Sequence, residues 1–205
     1  MARLGILGGT FNPPHIGHLV CAQEAHDRLG LDVVRLVPVA VPPHKELRAD
    51  PGPEHRVELC RRAVEEDARF SVSLAEVERG GPSYTVDTLR ALHARHPEDD
   101  LIFIAGGDMA RSLPSWHDPE QLLALATFAV AERESVGRAD ILESVAGIGA
   151  TDRIAFFEMP RVDVSSSLVR RRVAEGRPIR YLVPAGVERY IAEHGLYRAA
   201  VEAAR

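Results

Sequence analysis

Gly8-Gly9-Thr10-Phe11-Asn12-Pro13-Pro14-His15-Ile16-Gly17-His18 follows an apolar run at the amino terminus and opens directly into a helical pattern. Leu4, Ile6 and Leu7 read as a short buried strand. The paired glycines allow a tight turn with close backbone approach, and His18 begins an amphipathic run that ends near Gly30. A helix entered this way leaves its first N–H groups without partners inside the helix, and they aim at whatever sits over the turn. His15 and His18, three residues apart, share one face of that first turn and add imidazole donors at the same spot. The stretch therefore reads as an anion site, with phosphate as the natural occupant.

Working outward, Asp32 to Val39 gives a second strand, and Val41 to Pro53 forms a long proline-rich loop carrying Pro42-Pro43-His44-Lys45. A helix over about Glu54 to Glu66 sets Val57, Cys60 and Val64 at helical spacing, and a strand is expected from Phe70 to Val77. Gly80-Gly81-Pro82 breaks the chain before a helix from Thr85 to about Arg95. Asp100 to Ala105 is a strongly apolar strand that runs into the turn Gly106-Gly107-Asp108. A helix through Leu122 to Ala126 and strands over Thr127 to Ala131 and Arg153 to Phe157 follow, with Arg133 to Asp152 left undefined. Two helices, about Ser166 to Glu175 and Pro184 to His194, close the chain.

Strands alternating with helices imply a doubly wound α/β fold, a Rossmann-like parallel sheet joined by right-handed crossovers. Residues 1–205 are expected to form one domain, with 160–205 as a small helical carboxyl-terminal part. In such a sheet the ligand crevice opens at the carboxyl ends of the strands, so the loops at 8–18, 41–53 and 106–118 should rim it. A net charge of −5 argues against a protein held to nucleic acid by bulk charge, which makes any basic site local. The absence of an apolar run near 18 residues argues against a membrane span. The amino terminus passes straight into a strand, so a cytoplasmic enzyme is the default expectation. Cys21 and Cys60 each sit in a helical pattern and read as buried small hydrophobes, not as a disulfide or a metal pair. The sequence leaves a homo-oligomer open.

The fingerprint at 8–18 resembles that of the nucleotidyltransferase superfamily marked by His-x-Gly-His, usually written Gly-Gly-Thr-Phe-Asp-Pro-x-His-x-Gly-His. Asn12 stands where Asp is usual; the exchange removes a carboxylate and keeps the capacity to form a turn or cap. Ser165-Ser166-Ser167-Leu168-Val169-Arg170 is similar to the second signature of that superfamily, commonly Ile-Ser-Ser-Thr-x-Ile-Arg, with Val164 for the first Ile and Ser167 for the Thr. The resemblance implies an adenylyl-transferring enzyme that uses ATP with Mg²⁺ held by phosphate oxygens and water, and no dedicated metal ligands in the protein. His15 and His18 would donate to the triphosphate, His18 nearest the α-phosphate, while Lys45 brings a point charge and Arg170 a planar fork to the outer phosphates. Gly8, Gly9, Thr10, Phe11 and Gly17 would surround the nucleotide from the first loop. Gly106, Asp108, Ser166 and Ser167 would do so from the other side, with Asp108 on a ribose hydroxyl. The plain alternatives are N-capping for Asp108 and the serines and solvent exposure for Lys45.

Gly81-Pro82-Ser83-Tyr84-Thr85-Val86-Asp87-Thr88-Leu89 and Leu113-Pro114-Ser115-Trp116-His117 are similar to the segments that hold the pyridine ring in bacterial nicotinate-mononucleotide adenylyltransferases. That resemblance implies a pyridine nucleotide against Tyr84, Thr85, Trp116 and His117, with Trp116 as a flat platform. A lone tryptophan is more often core than platform. Other acceptors within the superfamily are nicotinamide mononucleotide and phosphopantetheine. The phosphopantetheine enzymes usually carry Thr at the place of His15 and are shorter. A non-catalytic nucleotide-binding sensor would keep the glycine turn without needing His15, His18, Lys45 and Arg170 together.

Overall fold

A computed structural model describes residues 1–42, 49–132, 137–149 and 151–198. Six strands, β1 (Arg3–Gly9), β2 (Val33–Pro38), β3 (Phe70–Val72), β4 (Asp100–Gly106), β5 (Thr127–Glu132) and β6 (Ile154–Glu158), form one sheet in the order β3-β2-β1-β4-β5-β6. Every pairing is parallel. The chain winds outward from β1 to β3 and then crosses back to begin again at β4. The direction of winding therefore reverses between β1 and β4, and a crevice opens there at the carboxyl ends of the strands.

The central strands are buried on both faces, which is why β4 reads as a continuous apolar run. Alternate side chains divide between two cores. Leu4, Ile6, Leu101 and Phe103 belong to one, and Leu7, Ile102 and Ile104 to the other. The first core is covered by α4 (Thr85–Arg95), α6 (Pro119–Leu125) and α7 (Arg138–Val145). The second is covered by α1 (Ile16–Leu29) and α2 (Pro53–Val64). Both Cys21 and Cys60 are buried in this second core.

The expected strand at 70–77 is only partly right. β3 stops at Val72, the Ser73 N–H makes a last bond to the Leu36 carbonyl at 2.9 Å, and the chain turns into a short helix, α3 (Ala75–Arg79). Alternation over so few residues fits both geometries, and Ser73 starts the turn by accepting the Ala75 N–H. The undefined stretch contains α7 and two single 3₁₀ turns at 146–148 and 151–153; residues 133–136 and 150 lie outside the described residues. A short helix, α5 (Gly107–Ser112), begins directly at the end of β4.

The last two helices, α8 (Ser166–Ala174) and α9 (Ala185–Glu193), pack on α2 through Leu59, Val169, Val183, Val187 and Ile191. Gly186 is where α9 comes closest: a Cβ there would stand 2.7 Å from the Arg62 carbonyl oxygen, so only glycine permits the approach. Among the described residues no helix is long and apolar enough to cross a membrane.

Candidate active site

A cavity of about 620 Å³ opens at the carboxyl ends of β1 and β4, where the winding reverses. Its floor is the glycine turn, Gly8 to Thr10, and its first wall is the amino-terminal turn of α1, with His15, Gly17 and His18. His15 is the N-cap residue of α1 and is 8% exposed. Its ring lies 3.7 Å, centroid to centroid, from that of His18. The His15 backbone N–H donates to Nδ1 of His18 at 3.1 Å. Because Nδ1 accepts, the neutral His18 ring carries its proton on Nε2, which becomes the donor the ring can offer to a ligand. Gly17 makes the stacking of the two imidazoles feasible: a Cβ there would lie 3.1 Å from the His15 ring. Phe11, almost fully buried, packs its ring steeply inclined to that of His18, with the centroids 5.0 Å apart.

The two signature segments, more than 150 residues apart in sequence, meet at this turn. Ser166 donates through its hydroxyl to the Pro13 carbonyl at 2.8 Å, and Arg170 donates through Nη1 to the Asn12 carbonyl at 2.6 Å and through Nη2 to the Ser167 hydroxyl at 3.1 Å. The contact to position 12 is made by main chain, which an Asn-for-Asp exchange leaves intact. Capping of α8 falls to Ser165, whose hydroxyl accepts the Leu168 N–H. Of the three serines, Ser165 lines the cavity; Ser166 and Ser167 instead fasten α8 and Arg170 to the motif loop. Gly106 lines the cavity at the end of β4, and Asp108 stands exposed in the first turn of α5. Lys45 lies outside the described residues.

The far end of the cavity is aromatic. Tyr84, the N-cap residue of α4, and His117 have ring centroids 4.5 Å apart, with Thr85 and Trp116 beside them in the same wall. Trp116 serves two ends at once. Its indole N–H donates to Ser112 at 3.0 Å and it packs edge-on against Phe103 and Phe128 at 5.9 and 5.8 Å, while the partly exposed ring also lines the cavity. Among the described residues no group of three or more His, Cys, Asp or Glu gathers as a metal centre would require.

Two residues that hold the site escape a reading of the sequence. Arg56 of α2 is 0% exposed. Its guanidinium donates to the Thr10 carbonyl at 3.2 Å, the Val39 carbonyl, the Ala40 carbonyl at 3.1 Å and Asp50 at 2.9 Å, so it ties the loop after β1 to the loop after β2. The available signal was its place on the apolar stripe through Cys60 and Val64, where a charge is out of keeping. Ser83 works from the other side: its hydroxyl accepts the Ala40 N–H at 3.0 Å and its N–H donates to the Val41 carbonyl at 2.9 Å. The peptide at Ala40 is thus clasped between Arg56, which also holds the glycine turn, and Ser83, which precedes the aromatic end.

Comparison with known proteins agrees with this geometry. The sequence model described as cytidylyltransferase-like matches residues 6–172. A protein of Halalkalibacterium halodurans named "Probable nicotinate-nucleotide adenylyltransferase" is 46% identical over 97% of this chain and 92% of its own length. One of the same name from Tropheryma whipplei is 46% identical over 94% of this chain and 98% of its own. In fold, the nicotinic acid mononucleotide adenylyltransferase of Plasmodium falciparum, solved in complex with NaAD, superposes with a TM-score of 0.77 at 19% identity, covering 96% of this chain and 98% of that one. With both signatures joined at one cavity and relatives matched along nearly their whole length, this chain belongs to the cytidylyltransferase-like family, on the branch whose members carry the name nicotinate-nucleotide adenylyltransferase.

Proposed function

We propose that the protein transfers the adenylyl group of Mg-ATP to nicotinate mononucleotide, giving deamido-NAD and pyrophosphate, a step of NAD biosynthesis. The observation that carries this reading is one cavity with two imidazoles and the first turn of α1 at one end and an aromatic wall at the other. An oxygen of the acceptor 5′-phosphate attacks the α-phosphorus of ATP. The new O–P bond forms as the bond to the bridging α–β oxygen breaks, and pyrophosphate leaves with that electron pair. No covalent enzyme intermediate is needed, so the protein's contribution is position and charge.

On this reading Nε2–H of His18 meets the oxygens of the α-phosphorus as negative charge gathers on them, with His15 and the first N–H groups of α1 beside it. Arg170, already held by the Asn12 carbonyl, turns its fork to the β- and γ-phosphates, and Lys45 adds the point charge that the family resemblance assigns to it. Gly8, Gly9, Thr10 and Gly17 let the triphosphate approach the backbone, while Gly106 and Asp108 face the ribose. Mg²⁺ arrives as part of the substrate, carried by phosphate oxygens and water. The pyridine ring lies against Trp116, between Tyr84 and His117, and backbone N–H groups near Thr85 take its carboxylate.

Incubation with Mg-ATP and nicotinate mononucleotide, followed by mass identification of the products, tests the chemistry; deamido-NAD and pyrophosphate are expected in equal amounts. Release of AMP without a dinucleotide contradicts it. Trp116→Ala is expected to raise KM for the mononucleotide about tenfold and that for ATP by less than about threefold. An equal rise in both removes Trp116 from the pyridine subsite. Gly17→Ala is expected to leave the chain folded and to lower kcat/KM about tenfold by pushing the His15 ring off its seat. An unaltered kcat/KM in this variant means the imidazole spacing is not critical.

A further inference from the structure

Glu76 is the only acidic side chain among the described residues that line the cavity, and none of the steps above uses it. It sits on α3 and is 5% exposed. Its Oε1 accepts the Thr88 hydroxyl at 2.8 Å, whereas Oε2 is buried without a hydrogen-bond partner. A buried carboxyl oxygen left unpaired in the wall of a ligand cavity marks a place where a ligand group can complete the bonding. Thr88 lies on α4, one turn beyond Thr85, so this oxygen belongs to the aromatic end of the cavity.

We propose that Glu76 is a specificity-determining residue of the acceptor pocket, its Oε2 meeting the substituent of the pyridine ring, as an O–H donor to a carboxylate or as an acceptor from a carboxamide N–H. The inference rests on the pyridine-nucleotide reading above. Burial pushes the Glu76 carboxyl above its ordinary value; the Ser83 and Thr88 hydroxyls, Arg79 and the Ala40 N–H pull the other way, but the Ala40 N–H is bonded to the Ser83 hydroxyl and none of these groups closes a hydrogen bond on Oε2. α3 packs on α4 and β2. Arg79 of α3, which also donates to the Thr88 hydroxyl at 3.3 Å, is the charged group that bears on Glu76, and Tyr84 and His117 are the titratable side chains sharing its end of the cavity. Two carboxylates side by side in such a pocket cannot both stay ionised without penalty. Nicotinate mononucleotide therefore binds with uptake of a proton from the buffer onto Glu76, and nicotinamide mononucleotide binds without it.

The preference for acid over amide is then highest where Glu76 is already protonated. It falls by about tenfold per pH unit above the point at which Glu76 ionises in the free protein. Every ionisation other than that of Glu76 is common to both mononucleotides and cancels, so the ratio of the two isolates Glu76. The test is calorimetric binding of each mononucleotide to the intact protein in two buffers of different ionisation enthalpy, together with the ratio of kcat/KM values from about pH 6 to about pH 9. The expected result is extra proton uptake for the acid alone and a ratio that falls at least about tenfold over that range. In Glu76→Gln, whose amide oxygen can still accept from Thr88, both effects should vanish. Should that variant fail to fold, Thr88→Val serves instead: it removes a donor to the ionised carboxylate and should move the turning point of the ratio to higher pH. A ratio independent of pH in the native protein, an unchanged profile in Glu76→Gln, or an unmoved turning point in Thr88→Val overturns the inference while nicotinate remains a good substrate. Failure to adenylylate either mononucleotide overturns the acceptor reading and takes this inference with it.

Discussion

His18→Ala is expected to lower kcat by about 100- to 1,000-fold, the cost of removing one donor aimed at developing charge, with KM for ATP changed far less. The tautomer of His18 decides the size of this effect. Nδ1 is occupied by the His15 N–H, so Nε2–H is what the ring offers the reacting phosphate. Alanine also removes a cap from the first turn of α1, and the two losses can be separated. In His18→Asn the amide oxygen overlays Nδ1 and can restore the cap without supplying a donor at the Nε2 position. It should recover stability and stay as slow as alanine. Steady-state rates with thermal melts on the three proteins decide the matter, and turnover within threefold of the native protein in folded His18→Ala would remove His18 from the transition state.

The second large effect concerns stability. Arg56→Met fills much of the same volume but leaves the carbonyls of Thr10, Val39 and Ala40, and the Asp50 carboxylate, without their donor. Removing one partner of a buried, hydrogen-bonded charge costs about 3–5 kcal/mol, a large share of the stability of an ordinary domain. The urea midpoint should drop accordingly, and kcat should fall in whatever fraction stays folded because the loops after β1 and β2 lose their common anchor. A loss below about 1 kcal/mol would mean that the carbonyls find other donors and that the loops do not depend on Arg56.

The architecture was largely legible because its signals are local. The apolar run at 100–105, the glycine turn after the first strand and the helix that starts at Thr85 each follow from periodicity and breakers within a dozen residues. The crevice followed from alternation of strand and helix, since winding alone fixes which ends of the strands carry ligand. Less legible was whatever depends on contacts between distant segments. Ser166 and Ser167 read as anion ligands at a helix start, and no local signal showed that the Ser166 hydroxyl also donates to the Pro13 carbonyl or that Ser167 accepts from Arg170. Arg56 offered only its place on an apolar stripe, and the carbonyls it meets belong to two loops distant in sequence that α2 packs beneath. Glu76 fell in a stretch read as strand, where no face could be assigned. Trp116 combined the two roles that the sequence set against each other, because one edge meets the core while the ring lines the cavity.

The acceptor defines the reaction. Pyrophosphate release with Mg-ATP should be followed in parallel with nicotinate mononucleotide, nicotinamide mononucleotide and phosphopantetheine near neutral pH. The predicted result is release with the nicotinate compound at a kcat/KM at least about tenfold above that with the amide, and none with phosphopantetheine. Preference for the amide would keep the adenylyl chemistry of the His15–His18 turn and contradict the pocket built around Thr85, Trp116 and Glu76. Release with phosphopantetheine alone would contradict the central claim outright.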